Sequence, residues 1–428
     1  MKKQKNIPIL KFYLILLSML FIGACSKDDD VIIVDEDEPI VVLPPIALDC
    51  NDFDKDVILK NDPDRPVDYI VDCAIEIYAT TLTIEPGTVI EFTESGRIAV
   101  HRYFDDHSGA IVAIGTADSP IVFRGTKAEK GHWRGLFIGT ENNMNELDHV
   151  VVRDAGKEPY LHGGQAGLLL GNAGYGYGKV KITNSQFLNN RKYGLEISHN
   201  ESLTEDYLLI KNNSFKDNEA PVYASIHTLH LLDSSNDLTG NDRDEIDVKS
   251  SSNNTDNTIV DGTWYNHGIP YIFERNVYID SKITLEPGTV LKFPKDYGLT
   301  IGRIYGPAGT GGGLIAKGTP DEPIIFTATE KIEKYWRGIR FASNYPGNEI
   351  SNAIVEYTGV ITSNPDDVYN LKVLTKSFAK LNNILFRHAN HSECAIWVEY
   401  FNETSHGIVD VNLETITVEE GHTKYCEH

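Results

Sequence analysis

The amino-acid sequence predicts an all-β solenoid, two tandem copies of one design stacked into a single rod. One long motif is used twice: Leu82-Thr83-Ile84-Glu85-Pro86-Gly87-Thr88-Val89-Ile90-Glu91-Phe92 returns 201 residues later as Ile283-Thr284-Leu285-Glu286-Pro287-Gly288-Thr289-Val290-Leu291-Lys292-Phe293. A shorter period of 28 runs inside the first copy, where Ile182-Thr183-Asn184-Ser185-Gln186-Phe187-Leu188-Asn189-Asn190 matches Ile210-Lys211-Asn212-Asn213-Ser214-Phe215-Lys216-Asp217-Asn218. Each unit holds short alternating apolar runs split by Gly, Asn, Asp or Pro, which is strand-and-turn chemistry. A unit this small cannot bury a face alone, so neighbouring units must close a common core.

The first residues read as an address. Lys2, Lys3, Lys5 and Lys11 precede an apolar run over 12–22, too short to span a bilayer as a stable helix. Ile22-Gly23-Ala24-Cys25 ends it and resembles the lipobox of bacterial lipoproteins. That resemblance implies cleavage before Cys25 and acylation of that residue, against the plainer reading of a secretory peptide with an incidental Cys. Ser26-Lys27-Asp28-Asp29-Asp30 is similar to the acidic surface-export signal of some Gram-negative lipoproteins, and is also what a solvated tether requires. The expected divisions are a signal peptide over 1–24, an acidic Pro-containing tether over 25–48, copy one with an amino-terminal cap over 49–250, and copy two with a carboxy-terminal cap over 251–428. The expected location is the outer membrane, lipid-anchored and facing the cell exterior.

Charge narrows the partners. Lys plus Arg is 39 against 62 Asp plus Glu, a net −23, and loss of residues 1–24 leaves 35 bases against the same acids. Such a balance disfavours nucleic acid, and disfavours a membrane contact other than through a lipid. Apart from Cys25, four Cys remain, and three pairings are open to them. Cys50–Cys73 and Cys394–Cys426 are preferred, because each pair is close in sequence and sits at one end of the folded region.

Within the body, alternation assigns the faces. Leu82, Ile84, Ile90 and Phe92 point inward, Thr83 and Glu91 outward. Glu85-Pro86-Gly87-Thr88 suits a type II turn, with Pro setting φ and Gly supplying φ > 0. Phe187 and Phe215 are expected to stack one rung above the other, and Asn190 and Asn218 to form an amide ladder in a turn. Trp133 and Trp336 fall at matched positions and read as core, with sugar stacking as the alternative.

The blocks over 83–92, 111–123 and 133–139 together resemble the right-handed parallel β-helix of pectate-lyase-like proteins, and more closely uncharacterised β-helix lipoproteins of Gram-negative surfaces. The resemblance covers residues 69 to 400. It implies ten to twelve rungs of ~28 residues, each rising ~4.8 Å. It implies a fold and not an activity.

The copies differ where chemistry could sit. Copy one has His101-Arg102-Tyr103-Phe104-Asp105-Asp106-His107 where copy two has Gly302-Arg303-Ile304-Tyr305-Gly306-Pro307-Ala308. The imidazoles and carboxylates of His101, Asp105, Asp106 and His107 can hold a metal, do acid–base work, or simply solvate a loop. A Gly-rich stretch carries Tyr175 and Tyr177, and with Tyr160 and His162 nearby it is the first choice for a glycan-contact surface. No cofactor is called for. Calcium is the one ion the acidic stretches admit, at Asp52-Phe53-Asp54-Lys55-Asp56 and at Asp242, Asp244 and Asp247, although the first lacks the Gly and distal Glu of a calcium loop. No GxSxG, phosphate-binding or HExxH motif occurs. The reading is a surface-anchored lipoprotein that binds an extracellular polysaccharide or protein without catalysis. The alternatives are a polysaccharide lyase or glycoside hydrolase on the same fold, and a structural spacer of the envelope.

Overall fold

The computed structural model describes residues 42–102, 108–157, 164–171, 178–197, 204–249, 257–258, 260–302, 311–360, 369–389, 394–402, 405–419 and 423–427. The chain is a parallel β-helix. Its strands are short and join parallel sheets, and no α-helix occurs among the described residues. One antiparallel hairpin, Tyr400–Asn402 with Ser405–His406, stands apart from this scheme.

The inside–outside reading holds at each quoted position. Leu82, Ile84, Ile90 and Phe92 are buried while Thr83 and Glu91 remain partly accessible. At the corner between these strands Gly87 has φ +84°, and Thr88 closes the turn through its N–H (3.3 Å) and its hydroxyl (2.7 Å) on the Glu85 carbonyl. Gly288 repeats this with φ +80° and Thr289 on Glu286. Only glycine adopts that backbone without strain.

Phe187 and Phe215 stack with centroids 4.9 Å apart and planes within 8°. The Asn190 amide donates to Asn218 Oδ1 at 3.0 Å, and Asn218 in turn donates to Asn241 Oδ1 at 3.0 Å. A second ladder runs through Asn213 and Asn236 (3.1 Å) at the neighbouring corner. Each buried amide therefore finds its partner one rung away, which removes the cost of burying it. Trp133 and Trp336 are fully buried, each donating its indole N–H at 2.7 Å to a backbone carbonyl, of Arg153 and of Glu356. The sugar-stacking alternative for them is thereby closed.

The regular spacing is not as expected. One column of register partners climbs through Ile75, Ile98, Leu136, Leu168, Leu195, Val222, Ile246 and Tyr271, then Leu291, Phe326, Val355, Phe386 and Val418. Between residues 69 and 400 that is twelve rungs among the described residues, within the expected ten to twelve, and Val418 adds a thirteenth beyond them. Partners lie 20 residues apart at Tyr271↔Leu291 and 38 apart at Ile98↔Leu136, so ~28 is not a true period. Strand pairing demands a constant rise, whereas a connection bulging from a corner can take any length.

The two copies also do not superimpose face on face. Tyr69–Val71 and its copy-two equivalent Tyr271–Phe273 lie in different sheets. Tyr69–Val71 pairs with Ile46–Ala47 and Val89–Phe92. Tyr271–Phe273 instead stacks on Ile246–Lys249, in the sheet that copy one builds from Ala74–Ile77 and Arg97–His101. A separate sheet, opening at Asn257–Thr258 and Val277–Ile279, takes the strands equivalent to Ala74–Ile77 onward.

The ends are built differently. At the first rung, the 3-10 turn Asp52–Asp54 lays Phe53 (5% exposed) over the core. Ile46–Ala47 already pairs there, inside the segment read as tether. At the other end, where a carboxy-terminal cap is expected, Ile408–Val411, Ile416–Val418 and Tyr425–Glu427 make a further rung. Its Val409, Val411 and Val418 are only half-buried. Both expected disulfides form, Cys50–Cys73 and Cys394–Cys426, with Cα atoms 6.2 and 6.0 Å apart.

Candidate functional site

Three connections in copy one leave the sheet of Arg97–His101, Leu136–Gly139 and Ala166–Leu170 and enter the sheet of Ala110–Ile114, Glu146–Asp148 and Val180–Thr183. All three therefore turn the same corner on consecutive rungs. A groove of about 690 Å³ lies along it, lined by Asp56, Thr80, Thr81, Arg102, Ser108 and Glu141–Met144. A second groove of about 460 Å³, lined by Lys179–Lys181 and Glu205–Tyr207, shares Asn143 with the first.

The floor is held by side chains spent on backbone groups. Buried Asn145 accepts the Ile111 N–H at 3.0 Å and donates to the Lys179 carbonyl at 2.9 Å, tying three rungs together. Asp56 accepts the Thr81 N–H at 2.8 Å, and Asn142 donates to the Ser108 carbonyl at 2.8 Å. What remains toward solvent is polar apart from Met144. Arg102 and Glu141 face each other at 3.8 Å, both largely exposed, beside Asn143 and Met144. An exposed pair at that distance is weak and readily opened by a ligand.

The same corner recurs in copy two. Buried Asn348 accepts the Leu314 N–H at 2.9 Å and donates to the Phe378 carbonyl at 3.1 Å. Asp261 accepts the Lys282 N–H at 2.7 Å. The groove there, about 360 Å³, is lined differently, by Lys282, Gly312, Ser343 and Tyr345 among others. Asn145 and Asn348 stand 203 residues apart in matched Asn-Glu segments, which is the sequence signal for this corner.

Of the candidate ligand residues named from the sequence, His101 alone is described. Asp105, Asp106, His107, Tyr160, His162, Tyr175 and Tyr177, like the acylation candidate Cys25, lie outside the described residues.

His101 lies on a strand and not in a loop. It ends strand Arg97–His101, is 6% exposed, stacks on Tyr78 (4.7 Å, 13°) and bonds Glu76 through Nε2. Arg97 Nε also donates to Glu76 at 2.8 Å. Burial alone would raise the Glu76 carboxyl, but the hydrogen bonds from His101 and Arg97, with their charges, hold it below the usual carboxylate range.

A second cluster, not foreseen, lies farther along the outer face of the same sheet. Tyr193 and Tyr223 stack at 5.2 Å, their hydroxyls donating to Asp247 (2.8 Å) and Glu274 (3.0 Å). Burial and the adjacent carboxylates push both phenols up. Burial, with Asp247 close by, also pushes Glu274 up. Arg243 holds Asp247 (2.8 Å) and Glu245 (2.9 Å), and Lys292 reaches Glu245 at 3.1 Å. Apart from the contacts of Arg243, the hydrogen-bonded partners are 47 to 54 residues apart in sequence, so no local motif marks them.

Of the acidic stretches considered for calcium, the second is spent internally. Asp242 takes Lys130, Asp244 takes the Asn241 N–H, and Asp247 takes Arg243 and Tyr193. Among the described residues no three His, Cys, Asp or Glu side chains converge to hold a metal ion. Nor is any helix among them long and apolar enough to cross a membrane.

A family model described as a pectate-lyase like beta helix domain matches residues 54–167, a stretch that contains the whole lining of the first groove. No curated protein and no solved structure matches the chain.

Proposed function

We propose that this chain is a lipid-anchored surface protein whose β-helix binds an extended extracellular polymer along the corner groove, without catalysis. A polysaccharide is the favoured ligand and a surface protein the second. The observation that carries the reading is the groove at Arg102, Glu141 and Asn143, a polar trough crossing consecutive rungs. Its amides, hydroxyls and weakly paired charges match a hydroxyl-rich chain better than an apolar ligand.

The lyase reading asks for a base free to take a proton, beside groups that neutralise a uronate carboxylate. On the outer face that carries the Tyr193 cluster, Arg97, Arg243 and Lys292 each lie against a carboxylate. A net charge of −23 also disfavours a polyanionic substrate.

The test is a polysaccharide screen on the full chain in detergent, reading binding together with the absorbance of unsaturated uronate. Binding that falls at least tenfold in the Glu141→Ala, Asn143→Ala double variant supports the reading. New absorbance overturns it in favour of the lyase. Silence in both channels moves the spacer to first place. The anchor is tested separately: Cys25→Ser is expected to lose lipid labelling and to leave the membrane fraction.

A further inference from the structure

The copy-two corner keeps the scaffold of the first groove and changes its lining in a coordinated way. Where copy one has Ala110 and Asn142, copy two has Gly313 and Tyr345, each 203 residues on. The exchange is sterically coupled. A Cβ on Gly313 would sit 2.6 Å from Tyr345 Cδ1, so the ring lies where a side chain would otherwise be. Gly347 is equally committed, since a Cβ there would meet the same ring at 2.5 Å. Two glycines thus make a bed for one aromatic.

The ring is braced from behind. Ser343 Oγ donates to the Gly312 carbonyl at 2.6 Å and accepts the Tyr345 N–H at 3.1 Å. Tyr345 remains half-buried and lines the groove. Lys282 Nζ stands 5.4 Å from its centroid, and Asp261 Oδ2 is 4.0 Å from that ammonium. An aromatic ring, an ammonium and a carboxylate therefore meet in one small trough, on a backbone shaped to admit the ring.

We infer that this groove is a second, aromatic subsite, which takes a single hexopyranose unit of a neutral glycan. The apolar C–H face of the sugar lies on Tyr345, while Lys282 and Asp261 bond its hydroxyls. Copy one offers no ring at the equivalent corner position. The two grooves thus divide the work, one following the chain by hydrogen bonds and the other anchoring a unit by stacking. The inference rests on the glycan reading above.

The test titrates the full chain with hexasaccharides from β-glucan, mannan and xylan, by calorimetry and saturation-transfer NMR. Tyr345→Ala is expected to weaken binding at least tenfold, Tyr345→Phe less than threefold, and Lys282→Met three- to tenfold. If Tyr345→Ala destabilises the chain, Gly313→Ala, which displaces the ring, replaces it. Unchanged affinity in a folded Tyr345→Ala or Gly313→Ala variant overturns the subsite. If the Glu141→Ala, Asn143→Ala pair abolishes binding while Tyr345→Ala does not, only this inference falls. If the reverse holds, the subsite stands and the first groove falls. No binding by any hexasaccharide defeats both.

Discussion

Phe92 lies flat against Trp133, with ring centroids 4.0 Å apart and planes within 10°. Phe293 and Trp336 repeat the contact at 4.4 Å and 11°. A strand residue and a corner residue from the next rung thus close the core together in both copies. Trp133→Ala removes this stack, a large buried volume and the bond to the Arg153 carbonyl. The expected loss is about 3–5 kcal/mol. Trp133→Phe keeps part of the stack and should cost less. Chemical denaturation of both variants checks the order, and a cost below ~1 kcal/mol for Trp133→Ala would show that the rung closes without it.

The amide ladder offers a sharper test, because its members are buried and mutually dependent. Asn218→Ala strips the acceptor from both the backbone and side-chain N–H of Asn190 and leaves them buried. Each unpaired group costs about 1–3 kcal/mol. An Asn190→Ala, Asn218→Ala pair should then cost less than the two single changes added. Strict additivity in denaturant unfolding would argue that the two amides act independently.

Glu76 sets an acid limit. Its folded carboxyl is held below the usual range, so ionised Glu76 contributes stability that is complete above the unfolded value, ~4.3. That contribution is lost as pH falls below that value through the lower folded one. Glu76→Gln should therefore lower the melting temperature at pH 7 and converge on the parent at acid pH. Parallel melting curves across that window would refute the assignment.

Glu274 has the opposite sign. Its carboxyl is raised, so ionising it opposes folding, and stability falls as pH rises through the interval between the unfolded and folded values. Glu274→Gln should flatten that fall while keeping a partner for the Tyr223 hydroxyl. Melting temperature against pH from 4 to 8 reads the difference, and a variant that tracks the parent throughout fails the prediction.

Cys394–Cys426 ties the last rung, whose Val409, Val411 and Val418 are only half-buried, to the one before it. A Cys394→Ser, Cys426→Ser variant opens a cross-link spanning 32 residues, for which chain entropy alone gives about 3–4 kcal/mol. The loss should be local. Amide exchange should rise in Tyr425–Glu427 and Ile396–Val398, while Leu195 and Val222 in mid-stack keep their protection. Uniform acceleration would mean that the β-helix unfolds as one unit.

The inward residues were legible because they depend only on alternation and turn chemistry, both local. Phe187 over Phe215 and Asn190 over Asn218 followed from one matched pair of segments, since identical units stacked in register place like on like. Rung spacing was less legible, because corner connections lengthen without disturbing the strands. The site was hardly legible at all. His101 was read as a loop ligand, yet its partner Glu76 stands 25 residues earlier on the preceding rung. Tyr193 and Asp247 are two rungs and 54 residues apart. Groups that meet across rungs leave no spacing signature when the spacing itself varies.

From sequence alone follow the class of fold, the residues that face its core, and the use of one design twice. These rest on period-two alternation, on Gly at positions of positive φ, and on the matched blocks. Tertiary structure alone decided how the second use is set upon the first. Tyr69 and Tyr271 are equivalent in sequence, yet Tyr271 stacks on Ile246 in a different sheet. The matched corners therefore need not lie above one another, and the two grooves acquired separate linings. Alternation fixes on which side of a strand a residue lies, but the direction of that side around the axis depends on the rung beneath, a contact between residues far apart in the chain.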